Sequence, residues 1–199
     1  MKFCSACGAL VAREIPPGDD RPRAVCKACG TVHYENPRTV VGCVVEHGDE
    51  ILLCRRAIEP ARGLWTVPAG FLEIGEAATE GAARETLEEA QARVEVLAPH
   101  AYLDLPLIGQ SYALFRARLL DGAYGVGDES LEVATFSLDT IPWDEMAFPV
   151  IRIALELYAQ DRERGAWRFH LGVVEWSEKG AGFDWRRCTL RDHLATPLA

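Results

Sequence analysis

Glu85, Glu88 and Glu89 are the residues of this chain best suited by type and spacing to do chemistry. On a helix, at about 100° per residue, they fall within an arc of roughly 100°. Carboxylates crowded on one face repel, by about a few tenths of a kcal/mol per exposed i,i+4 pair. A hard divalent cation would offset that repulsion, since Mg²⁺ is held by a few carboxylates together with substrate phosphates. The competing reading is a solvated acidic face. Ala83, Leu87 and Ala90 lie on the other side and read as the buried stripe of the same helix.

A second constellation is Cys4-x-x-Cys7 with Cys26-x-x-Cys29, separated by 18 residues. Each pair is followed by glycine, Gly8 or Gly30. Two tight knuckles of this kind deliver four thiolates tetrahedrally to one Zn²⁺. Four thiolates fill that coordination sphere, so the site is structural. The segment Ile15–Pro22 between the pairs is poor in apolar residues. The metal would therefore supply most of the folding energy of this module.

The elements that must position the glutamates read as follows. Tyr34-Glu35-Asn36-Pro37 is a turn-rich boundary. Thr39–Val45 reads as a buried strand, His47–Glu50 turns, and Ile51–Arg55 returns. A glycine loop around Gly63 and Gly70 leads into the helix. Beyond it, Val94–Leu97 reads as a short strand, Gln110–Leu119 as a longer one, Gly122–Ser130 as a loop and Leu131–Phe136 as a strand. From Val150, apolar residues at helical spacing run to charges before Gly165. Trp167, Phe169, Leu171 and Val173 alternate, as in a strand. The five histidines have no ligand spacing and take no role.

The stretch from Gly70 through Glu76, Arg84, Glu85, Glu88 and Glu89 resembles the Nudix box, G-x5-E-x7-R-E-U-x-E-E-x-G-U, with U a bulky aliphatic residue. Gly63-x-Trp65-x-x-Pro68-Ala69-Gly70 resembles its lead-in, with Ala69 in place of a glycine. Thr86 and Ala92 are small for U, and Gln91 stands where the box has a helix-ending glycine. The N-terminal cysteines resemble a zinc ribbon.

The resemblance implies a zinc ribbon over residues 1–36, a Nudix domain over 37–164 and a C-terminal extension over 165–199 whose role is unassigned. It implies an α/β/α sandwich around a mixed sheet. It implies metal-dependent hydrolysis of a nucleoside diphosphate linked to another moiety, with Mg²⁺ or Mn²⁺ held by Glu85, Glu88, Glu89 and the Gly70 carbonyl. Arg84 would hold the box together, with Glu76 a candidate partner. Glu88, Glu89, Glu129 and Glu132 are all candidates for the base. Arg55 and Arg56 are candidates to hold phosphate or stack on a base, against a plain surface pair. Trp65, Phe71 and Tyr112 are candidates to touch substrate; Tyr102 and Phe115 share that reading with a core role.

Layout favours FAD or ADP-ribose as substrate and NADH second, because the S-Q-P-W-P-F-P signature of NADH pyrophosphatases is not present. A non-catalytic nucleotide sensor and a zinc-ribbon docking protein are the readings from other classes. The net charge of −9, with 49% hydrophobic and 26% charged residues, fits a globular protein and argues against one that coats nucleic acid. No secretory h-region and no membrane-length apolar run are visible, so a cytoplasmic location is expected. A homodimer is expected by resemblance alone.

Overall fold

The structure, a computed structural model, describes residues 1–176 and 188–198. The chain divides into two compact units, Met1–Pro37 and Arg38–Ala199.

The first unit is a three-stranded antiparallel sheet of β1 (Val11–Glu14), β2 (Arg23–Cys26) and β3 (Val32–His33). The knuckle glycines take left-handed φ, 74° at Gly8 and 75° at Gly30. Their N–H groups bond back to the carbonyls of Cys4 and Cys26, each at 2.9 Å. Four sulfur atoms converge as a result: those of Cys4, Cys7, Cys26 and Cys29 all lie within 4.8 Å of one another. His33 Nε2 lies 3.3 Å from Cys4 Sγ, and Thr31 Oγ1 3.1 Å from Cys29 Sγ. Besides Pro16, the buried apolar side chains of this unit are Cys4, Val25 and Cys26 alone. So small a core supports a fold held by metal.

The second unit contains β4 (Arg38–His47), β5 (Glu50–Arg56), β6 (Trp65–Thr66), β7 (Ala69–Phe71), α1 (Ala78–Ala90), β8 (Val94–Leu105), β9 (Gln110–Leu119), β10 (Ser130–Ser137), α2 (Pro149–Arg164), β11 (Arg168–Trp176) and β12 (Cys188–Pro197). The sheet runs β10-β5-β4-β9-β8-β11-β12, with β6 added to β5 and β7 to β4. The β4–β9 and β8–β11 pairs are parallel and the others antiparallel, so the sheet is mixed.

Strand alternation distributes the core. Val41, Cys43 and Val45 of β4 join Ala82 and Ala90 of α1 on one face. Val40 and Val44 join Val150, Ile151, Ala154, Leu155 and Tyr158 of α2 on the other. One helix on each face of a mixed sheet is the α/β/α sandwich. Each fully buried Val, Leu or Ile contributes roughly 1.5–3 kcal/mol to it. Cys43 and Cys54 are small core residues, as their setting in apolar strands suggested.

β4 and β5 pair only at their hairpin end, Val45 with Leu52 through His47 with Glu50. Beyond that they part, and β7 fills the space on β4, Val41 opposite Gly70. The strand carrying the box glycine is thereby fixed beside the sheet.

Two expectations change and one is extended. The strand expected at Val94–Leu97 continues to Leu105, because Ala98–Leu105 stay paired with β9 across two irregularities in register. The alternating tail is indeed a strand, and it joins the central sheet by pairing in parallel with β8. Of the stripe expected for α1 only Ala90 is buried: Leu87 is 50% exposed and Ala83 intermediate, while Gly81, Ala82, Thr86 and Glu89 join Ala90 inside. The helix turns part of its carboxylate face inward, against β4 and β7, and the hydrophobic pattern does not carry that instruction.

Candidate active site

α1 begins with Glu80 reaching back to the Ala77 N–H (2.8 Å), half of a capping box. The loop before it brings Gly70 against the helix so closely that a Cβ there would lie 2.4 Å from the Glu85 carboxylate. Only glycine fits. The neighbouring Ala69 N–H donates to Glu89 Oε2 at 3.1 Å. Ala69, where the lead-in has glycine, is accommodated without loss of that bond.

Arg84 organises the acidic groups. It donates to Glu76 through Nε (3.0 Å) and Nη2 (2.8 Å), to Glu85 and Glu88 through Nη1 (2.8 and 3.0 Å), and to the Phe71 carbonyl (3.3 Å). The Arg84 hydrogen bonds hold the Glu76 carboxyl down at about 2. Burial raises Glu85, with Arg84 working against it. Burial pushes Glu89 up to about 8, despite the Ala69 N–H.

The donor set fits a hard divalent cation. Glu85 and Glu89 are carboxyls taken out of water with too little positive charge to match, and such groups need a cation or a proton. Glu88, 57% exposed, completes the face toward solvent. Among the described residues, only the four cysteines bring three or more ligand atoms within 4.8 Å of one another.

These groups sit in a cleft of about 710 Å³ that includes Gly70, Glu85, Glu88 and Glu89. Arg56, Phe71, Tyr112 and Glu129 of the sequence-derived candidates also line it. Arg56 lies over the Phe148 ring at 5.0 Å, and Arg38 over Phe71 at 4.6 Å.

The structure does not bring Arg55, Glu132 or Trp65 into this wall. Ser130 pairs with Arg56 and Glu132 with Arg55, across a bulge at Leu131. Neighbouring strand residues face opposite ways, so Glu132 follows Arg55 to the other side and meets it at 3.4 Å. Trp65 is buried in the core, edge-on to Phe136 at 5.0 Å. Phe115 packs in the α1-side core, and Tyr102 does not line the cleft.

Residues matched to the NUDIX domain run from 36 to 152, and those matched to its N-terminal zinc ribbon from 2 to 35. The chain belongs to the NUDIX family. A Nudix hydrolase of known crystal structure from Nitrosomonas europaea is 52% identical, with a TM-score of 0.85 over 87% of this chain and 99% of that one. The NAD-capped RNA hydrolase NudC of Stutzerimonas stutzeri (strain A1501) is 29% identical over 163 residues, 81% of this chain and 57% of that protein. The NAD-capped RNA hydrolase of Schizosaccharomyces pombe is 34% identical over 107 residues, 47% of this chain and 28% of that protein. This chain thus spans well under two thirds of those two curated relatives. No helix among the described residues is long and apolar enough to cross a membrane.

Sequence reasoning missed Asp128, Glu73, Phe148 and Trp176, which also line the NUDIX cleft. Asp128 had a signal: it adjoins Glu129 in the glycine-rich acidic loop. Phe148 and Trp176 had none beyond being aromatic. The NUDIX helix ends at Gln91, which takes the left-handed conformation (φ 49°, ψ 28°) that the family's glycine would take. The left-handed helix exit is therefore kept with glutamine in place of glycine.

Proposed function

We propose that this chain hydrolyses the pyrophosphate bond of a nucleoside diphosphate linked to another moiety and releases AMP. One observation carries the reading: a half-buried Glu85 held by Arg84 and a buried Glu89 held by the Ala69 N–H, together in a cleft with aromatic walls. Glu85, Glu88, Glu89 and the Gly70 carbonyl would hold Mg²⁺ or Mn²⁺. Such a cation, when bound, supplies charge neutralisation at the phosphoryl oxygens and a more acidic water.

The protein's own groups do the rest. Arg84 orients the glutamates through a rigid fork. Arg56, set over Phe148, offers a fixed cation to the phosphates. Phe71 and Tyr112 offer faces to a flat ring. Glu88, Glu89 and Glu129 face the cleft and are the groups that can take the water's proton. Four cysteines hold a structural Zn²⁺ apart from this chemistry.

FAD and ADP-ribose are the favoured substrates. A second reading, NADH or another nicotinamide dinucleotide, is supported by the names of the curated relatives. The test is hydrolysis of FAD, ADP-ribose, NADH and a dinucleoside polyphosphate with Mg²⁺ or Mn²⁺, products read by mass, beside a Glu88→Gln/Glu89→Gln variant. AMP release lost in the variant supports the proposal. No turnover by folded, zinc-loaded protein overturns it for those compounds and leaves a nucleotide sensor. A homodimer belongs to the same proposal, and light scattering in solution decides it.

A further inference from the structure

We infer that Gln91 is a positioning residue: its side-chain amide latches the loop 122–130, and with it Asp128 and Glu129, onto the end of α1 beside Glu88 and Glu89. Gln91 stands in the left-handed conformation at the helix end, and its Nε2 donates to the Val126 carbonyl at 2.8 Å. The loop backbone completes the contact. Gly125 N donates to the Ala90 carbonyl (2.7 Å) and Gly127 N to the Glu89 carbonyl (3.1 Å). These are carbonyls that a helix end leaves without partners. The approach is so close that a Cβ on Gly127 would stand 1.8 Å from the Glu88 carbonyl oxygen.

The far side of the loop is tied as well. Ala57 N donates to the Glu129 carbonyl at 2.8 Å, and Ser130 N to the Gly127 carbonyl at 3.1 Å. Asp128 and Glu129 thus hang between two anchors, one at Ala57 just past β5 and one on the box helix, and both line the cleft. Glycine at position 91 would take the same φ with less strain but would offer no side-chain donor. The amide is what this chain has instead. It fixes the separation between the glutamates of α1 and the acidic pair of the loop.

The kinetic part of this inference rests on the hydrolase reading above; the structural part does not. The full chain, zinc-loaded, is compared with Q91M, Q91G and Q91K. Three readouts are taken: hydrogen exchange over 122–130, Tm, and AMP release from whichever compound the wild type cleaves. Q91M and Q91G are expected to raise exchange across 122–130. They should lower kcat about tenfold, as loss of an outer-shell contact does, with KM changed less than about twofold. Q91K keeps an N–H donor of similar reach and should recover most of the loss. Q91G should not lower Tm, because glycine relieves the left-handed strain while losing the latch.

Unchanged exchange in Q91M overturns the inference. So does a loss of kcat that merely follows the loss of Tm. If the wild type turns over nothing, the hydrolase reading fails, and exchange alone still decides the latch.

Discussion

Arg84 grips both carboxylate oxygens of Glu76, Nε to Oε2 at 3.0 Å and Nη2 to Oε1 at 2.8 Å. The fork points one way, and the remaining nitrogen, Nη1, is left to hold Glu85 and Glu88. Lysine carries the charge but not the fork. Arg84→Lys and Glu76→Gln should each lower kcat/KM by about ten- to a hundredfold, the usual size of an outer-shell loss. Because the two act as a unit, the double variant should lose much less than the product of the singles. Steady-state kinetics of the three proteins checks this.

Glu85 and Glu132 offer the sharper contrast. Glu85 is half-buried against Gly70, whereas Glu132 is exposed beside Arg55. Glu85→Gln removes a charge that a cation needs. It should cost about 4 kcal/mol of transition-state stabilisation, roughly a thousandfold in kcat/KM. Glu132→Gln breaks only an exposed ion pair at 3.4 Å and should leave kcat within about twofold and Tm nearly unchanged. A deep loss in the second variant would put the base on the other side of β10.

The four-cysteine cluster predicts a metal-dependent fold for residues 1–37. One Zn²⁺ per chain is expected by elemental analysis. Removal by a strong chelator should open this unit to protease, since its buried apolar side chains besides Pro16 are Cys4, Val25 and Cys26. In comparable small modules the metal contributes about 10–16 kcal/mol, far more than such a core can. Cys26→Ser should do the same without chelator. Protection that persists after complete zinc loss would mean the sheet stands on its own.

What the sequence disclosed follows from range. The box was legible because Arg84, Glu85, Glu88 and Glu89 lie on one helix, where residue spacing is geometry. The ribbon was legible for the same reason, two short knuckles. The buried face of α1 was misjudged because apolar pattern assigns Leu87 inward. The helix instead buries Thr86, its hydroxyl bonded to the Ala82 carbonyl at 2.8 Å, and the carboxylate of Glu89. Glu132 was misplaced because a bulge at Leu131 sets which way it faces, and no local signal announces a bulge. The partners of His170 come from distant segments, so spacing along the chain said nothing of them.

Those partners make a prediction about pH. His170 is buried, its Nε2 2.9 Å from Asp161 and its Nδ1 2.9 Å from His193. His100 stands edge-on to it at 5.5 Å and donates to the Ala154 carbonyl at 2.9 Å. Burial pulls the His100 pKa down from 6.5 to about 4. The unfolded chain therefore binds a proton below about pH 6.5 that the folded chain refuses, and stability rises with pH wherever that holds. The contribution is complete above pH 6.5 and is lost as pH falls toward 4. Between pH 7.5 and 5 the loss should be about 2 kcal/mol. Burial alone would raise Asp161, but hydrogen bonds from His170 and Arg168 outweigh it and keep the carboxyl below its usual value. Its contribution is present above pH 3.8 and disappears only below that, outside the His100 window. Glu89, raised by burial to about 8, titrates in the same window with the opposite sign, and burial also lowers His193. Urea unfolding at pH 7.5, 6 and 5 is therefore read as the difference between wild type and His100→Gln, which retains a donor for Ala154 but cannot titrate; the two should diverge by about 2 kcal/mol across that range. An equal slope in that variant would place the titrating group elsewhere and leave His100 charged in the fold.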